Sequence, residues 1–149
     1  MCFRIIGNRE SAEEAAQDVF INCFKNIRRL ENPEKFTGWL LRIAYNKSID
    51  YVRRKKVPTV EWSEKEHTKP NLIEKKEDQE SELQMYFTPL KEVEKAIIAL
   101  YYQEDMTTKE IGETLDISRS KVKILLFRAR QKIKTYLDKR KIRNNESSN

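Results

Sequence analysis

The stretch from Met106 to Lys134, MTTKEIGETLDISRSKVKILLFRARQKIK, leaves little freedom in how it folds. Thr107 and Glu110 stand in the spacing of a capping box, in which each side chain satisfies a backbone N–H left free at a helix start. Ser118 is a second good N-cap, ahead of a longer apolar-periodic run. Between the two caps only a short helix and a tight turn fit, which gives the helix-turn-helix plan. Gly112 is small where the two helices approach. Ile117 and Val122 are apolar where turn and second helix close onto the first. Asp116 takes the place where glycine commonly supplies a left-handed residue, and Asp tolerates that conformation better than most.

The second helix is one-sided in charge. It carries Arg119, Lys121, Lys123, Arg128, Arg130, Lys132 and Lys134, with Asp116 the single acid at its entry. A solvated face normally mixes signs, because like charges at i,i+4 repel. Val122, Leu125 or Leu126, Ala129, Ile133 and Leu137 form the inward stripe. Ser118, Arg119, Ser120, Lys121, Lys123, Phe127 and Arg128 are left to face or flank DNA, with the helix in a major groove. Phe127 has two readings, contact with a thymine methyl or cover for a neighbouring helix.

The rest of the chain extends the helical pattern. Gly (3) and Pro (4) are scarce in 149 residues, and no stretch alternates with period two, so an all-α class is expected. Upstream of the helix-turn-helix, Leu90, Val93, Ile97, Leu100 and Tyr101 mark one more inward-facing helix. Near the N-terminus, Ser11 and Glu14 have capping-box spacing, followed by an apolar stripe through Ala12, Ala15, Ala16, Val19, Phe20, Cys23, Phe24 and Ile27. Pro33 is placed for a helix start. Beyond it Phe36, Trp39, Leu40, Ile43, Ala44, Tyr51 and Val52 are apolar, while Arg42, Asn46, Lys47, Asp50, Arg53 and Arg54 are polar. Basic residues beside aromatic ones suit phosphate neutralisation and base stacking; spacing alone equally suits a bundle helix with core aromatics.

Charge divides the chain in three. Basic and acidic residues number 12 and 7 in 1–56, 4 and 8 in 57–89, and 14 and 9 in 90–149. The pattern predicts two small helical domains, 1–56 and 89–140, joined by a flexible acidic linker over 57–88 and followed by a disordered tail over 141–149. Within the linker, Leu72 to Phe87 has the composition for a short lead-in helix. Trp62 either docks on a neighbouring domain or is exposed, and His67 reads as a spectator. Cys2 and Cys23 are no disulfide framework, and Cys23 is expected as a buried thiol.

Two motifs, in order, resemble one family. Phe36, Trp39, Leu40, Arg42, Ile43, Ala44, Asn46, Asp50 and Arg53 spell F..WL.RIA.N...D..R, which is similar to region 2 of bacterial RNA polymerase sigma factors, above all the extracytoplasmic-function (ECF) group. GNRESAEEAAQDVFINCF resembles the region 2 helix that docks on the polymerase β′ clamp, and MTTKEIGETLDISRSKVKILLFRARQKI resembles region 4. The resemblance implies a transcription initiation factor. Gln17, Asp18 and Phe20 would bind core RNA polymerase, with the β flap as a second polymerase contact. Arg42, Asn46, Lys47, Asp50, Arg53 and Arg54, with the loop ENPEK, would read and melt the −10 promoter element. Ser118, Arg119, Ser120, Lys121, Lys123, Phe127 and Arg128 would read the −35 element. It further implies an anti-sigma factor as partner and a cytoplasmic location, at the inner face of the membrane when that partner is anchored there. Two departures stand out: most of the family's first region 2 helix is absent before FRIIGN, and Ile124 replaces a residue that is often small or polar in relatives.

The chemistry of enzymes finds no foothold in these residues. There is no Gly-rich phosphate loop and no Cys/His ligand spacing, so no catalytic residue, metal or cofactor is expected. A stand-alone helix-turn-helix regulator is the alternative; it would leave the Trp39–Arg54 pattern unused.

Overall fold

A glycine and an asparagine set the first corner. In the computed structural model, which describes residues 1–56 and 77–146, helix α1 (Cys2–Ile6) stops at Gly7, whose φ of 77° lets its N–H donate to the Phe3 carbonyl at 2.8 Å. Asn8 then caps α2 (Arg9–Asn26), its side-chain oxygen accepting from the Ser11 N–H at 2.9 Å. The expected cap at Ser11 is therefore displaced: the helix starts earlier, because Asn8 is the better-placed acceptor. Ser11 lies inside, and its hydroxyl accepts from Tyr51 Oη at 2.7 Å and Lys55 Nζ at 3.2 Å.

A 3-10 turn at Pro33–Lys35, capped by Asn32, leads into α3 (Phe36–Lys56). This long helix presents three different faces. Ala44 and Ser48 are buried, and small side chains there let α2 pack closely on α3. Leu41, Tyr45, Ile49 and Val52 line the adjoining face and pack on the core of the C-terminal half. Arg42, Asn46, Asp50 and Arg53 are exposed.

The C-terminal half consists of α4 (Glu77–Phe87), α5 (Glu92–Tyr102), α6 (Thr108–Leu115) and α7 (Arg119–Glu146). The described residues contain no strand. Phe87, Leu90, Ala96–Leu100, Ile111, Leu115, Val122, Leu126 and Ala129 form its core, and Ile5 of α1 is inserted into the same cluster. One internal ion pair fastens α7 to α5: Lys132 Nζ lies 2.7 Å from the Glu94 carboxylate, which is 4 % exposed and also accepts the Lys91 N–H at 2.8 Å. Arg130 stacks its guanidinium over Tyr101 and Tyr102 and donates to Tyr102 Oη at 2.9 Å.

Three expectations are modified. The α2 stripe is narrower than its composition suggests: Ala12, Ala15 and Val19 are buried, while Phe20 and Phe24 are 66 % and 85 % exposed. Cys23 is half-buried rather than enclosed. Helix α7 continues to Glu146 instead of fraying from Lys141, since the Lys- and Arg-rich segment contains good helix formers and no Gly or Pro. The linker residues 57–76, Trp62 and His67 among them, and the terminal 147–149 lie outside the described residues. No described helix is long and apolar enough to cross a membrane.

Candidate nucleic-acid and polymerase interfaces

The helix-turn-helix is built as its caps predict. Thr107 Oγ1 accepts from the Glu110 N–H at 3.3 Å, and the Glu110 carboxylate accepts from the Thr107 N–H and hydroxyl, each at 2.7 Å. Helix α6 ends at Asp116 in the left-handed conformation (φ 57°, ψ 47°), and the Ile117 N–H returns to the Gly112 carbonyl at 2.9 Å. Ser118 caps α7 by accepting from the Lys121 N–H at 3.2 Å. A Cβ on Gly112 would lie 2.7 Å from the Ile117 carbonyl oxygen, so only glycine fits this crossing without a shift.

From that turn α7 buries Val122, Leu126 and Ala129 and turns outward Ser118, Arg119, Ser120, Lys121, Lys123, Phe127 and Arg128. All seven residues singled out from the sequence are exposed. Phe127 is 63 % exposed and Ile124, one turn before it, 52 %, so the ring does not serve as cover for another helix. The pair forms an apolar strip among cations, and Arg119 Nε is steadied by a hydrogen bond to Thr108 Oγ1 at 3.2 Å.

On α3, Arg42, Asn46, Asp50 and Arg53 follow one another at helical spacing along one exposed stripe. Lys47 is half-buried, and it and Arg54 lie further round the helix. Phe36 and Trp39 stand at the head of this stripe with ring centroids 6.1 Å apart. Burial pushes the Tyr45 hydroxyl above its usual pKa; Arg53 opposes this and Glu92 of α5 adds to it.

On α2, Gln17, Phe20, Ile21 and Phe24 share the i, i+3, i+4, i+7 face opposite the buried alanines, and all four are exposed. Asp18 is half-buried and lies off that face. Sequence periodicity missed Ile21 and Phe24 as surface residues. The available signal was excess: a helix apolar around most of its circumference cannot bury all of it against one neighbour.

The same two halves are found by comparison with known families. The model described as Sigma-70 region 2 matches residues 1–57, and that described as Sigma-70, region 4 matches residues 88–135. The chain belongs to the sigma-70 family. Its relatives include the ECF RNA polymerase sigma factor SigW of Bacillus subtilis, 29 % identical over 92 % of this chain and 81 % of the relative. SigM of the same organism is 29 % identical over 85 % and 80 %. SigE of Mycolicibacterium smegmatis is 30 % identical over 93 % of this chain and 56 % of its own length. This sigma factor is thus a transcription initiation factor of the ECF type, and the rival reading as a stand-alone regulator is not favoured.

The acid side of the pH response follows from the α6 cap. Hydrogen bonds from the Thr107 hydroxyl and then its N–H hold the exposed Glu110 carboxyl below its usual 4.5. A carboxyl lowered in the folded state contributes stability above its ordinary value and loses it as pH falls through the lowered one. Thr107→Ala is expected to return the Glu110 titration toward 4.5, read by side-chain carboxyl NMR shifts, and to flatten the acid limb of stability.

Proposed function

We propose that this sigma factor binds core RNA polymerase and directs it to promoters, with residues 1–56 and 89–140 dividing the work. Gln17, Asp18 and Phe20 dock on the β′ clamp, and region 4 rests on the β flap. Arg42, Asn46, Lys47, Asp50, Arg53 and Arg54 engage the −10 element, cations on phosphates and Phe36 or Trp39 beside an unstacked base. Ser118, Arg119, Ser120, Lys121, Lys123, Phe127 and Arg128 take the −35 element, with Phe127 against an apolar base edge. The linker lets the two modules reach sites that lie apart on the duplex. An anti-sigma factor holds the chain in check in the cytoplasm, at the inner face of the membrane where that partner is anchored.

One observation carries this reading: α7 exposes every residue of the cation-rich set that leaves the turn, directly after a helix-turn-helix closed by Gly112. The test is transcription of fragmented bacterial genomic DNA by core polymerase with and without the chain, mapping the RNA 5′ ends. Chain-dependent starts preceded by two shared sequence elements are expected. Starts that ignore the chain would count against the proposal.

A further inference from the structure

The outward side of α7 repeats the pattern of its core side. Val122, Leu126, Ala129 and Ile133 are buried in the core or packed against it. Ser120, Ile124, Phe127 and Gln131 follow the same spacing two residues earlier, which puts them about 200° round the helix, directly away from the core. All four are exposed, Ile124 by 52 % and Phe127 by 63 %. The centre of the outward face thus carries two large apolar side chains and no charge. Cations stand on its flanks, Arg119 and Lys123 on one side, Lys121 and Arg128 on the other. Arg119 is held on its flank by the bond from Nε to Thr108 Oγ1 at 3.2 Å.

This order matches a major groove in cross-section, where phosphates line the two rims and base edges the floor. Cations on both flanks reach the two backbones, and the strip between them meets bases. Ile and Phe offer no donor or acceptor there. Against a purine edge they would displace water without replacing its hydrogen bonds, which is unfavourable. The C5 methyl of thymine is the apolar group that the groove presents. Ile124 and Phe127 are three residues apart, a rise of about 4.5 Å. That is close to the spacing of about 3.4 Å between successive base pairs, so the two side chains meet neighbouring steps. Four flanking cations make a polyanion, rather than an apolar protein surface, the matching occupant.

We infer that Ile124 and Phe127 together read two thymine methyls on neighbouring base pairs of the −35 element, with Ile124 a specificity-determining residue in its own right. The inference rests on the assignment of α7 to that element. It turns the centre of the recognition helix into a detector of methyl groups, while the cations beside it supply affinity.

Uracil scanning tests it. Holoenzyme formed from core polymerase and the full chain binds a fluorescent promoter duplex, mapped as above, in which each thymine of the upstream element is replaced in turn by uracil. Uracil pairs as thymine does and lacks only the methyl. At two neighbouring base pairs, on either strand, uracil is expected to weaken binding about fourfold, the effect of one buried methyl, and elsewhere in the element to change it little. Ile124→Ala should abolish the sensitivity at one of the two pairs and keep it at the other, and Phe127→Ala the converse, as direct pairwise contacts require. Both side chains are exposed and uncharged, so neither variant should move the melting midpoint or the salt slope. An element with no uracil-sensitive neighbouring pairs, or a sensitivity that survives in both variants, overturns the inference. So does an Ile124→Ala chain that loses association with core polymerase instead of affinity for DNA, which would make the strip a protein contact. Holoenzyme carrying Arg119→Ala/Lys121→Ala/Lys123→Ala separates this from the parent reading. If it binds the promoter as well as the unaltered protein does, α7 is not on the DNA and the inference falls with the −35 assignment. If it binds more weakly while the unaltered protein ignores uracil, the inference alone is overturned.

Discussion

Gly112→Ala is expected to cost this sigma factor about 3 kcal/mol of stability, near the upper end for a methyl forced into a packed site. The added Cβ would meet the Ile117 carbonyl oxygen at 2.7 Å. That oxygen is backbone, and the Ile117 N–H is already tied to the Gly112 carbonyl at 2.9 Å, so the turn cannot relax locally. A loss of this size lowers the midpoint of a chain this long by about 10 °C. Because Ile5 and the Leu41–Val52 side of α3 belong to the same core as Leu100, Ile111 and Val122, region 2 should lose structure with region 4. Far-UV circular dichroism and Trp39 fluorescence, in a Trp62→Phe background, are expected to report one coincident transition in both the parent and the variant.

That expectation separates what local sequence discloses from what it cannot. The caps at Thr107 and Ser118, the close approach at Gly112 and the left-handed Asp116 were all legible, because each depends on residues within a turn or two of itself. The outward set on α7 was legible because a single apolar stripe defined its complement. Helix α3 was read less completely. Its apolar and polar sets were distinguished, but Leu41, Tyr45 and Ile49, with Val52 from the apolar set, belong to a face that meets the other module, and periodicity along one helix does not say which partner covers which face. Phe20 and Phe24 were misplaced inside for the same reason. Ser11 lost its capping role to Asn8 through a competition that depends on where Gly7 ends α1.

The second large effect concerns DNA. Removing three cations together, as Arg119→Ala/Lys121→Ala/Lys123→Ala, is expected to weaken binding of a −35 duplex about 100-fold near 0.1 M salt, and to lower the magnitude of the log–log salt slope by about 2 to 3. All three side chains are exposed and none carries the core, so the melting midpoint should barely move. Arg119 has one internal bond to lose, to Thr108 Oγ1, at an exposed site. Unequal losses across different duplex sequences would point to base-edge contacts, whereas a uniform loss would assign the three to phosphates. Fluorescence anisotropy over a salt series makes both readings.

Binding to polymerase is where the whole account is most exposed. Association of the chain with bacterial core RNA polymerase should be measured by gel filtration and anisotropy, beside Gln17→Lys/Asp18→Lys and, separately, Phe20→Ala. Saturable one-to-one binding, weakened at least tenfold by each change on α2, is the predicted result. A folded chain that fails to bind the core enzyme, or one that binds equally well with that face altered, would contradict the account.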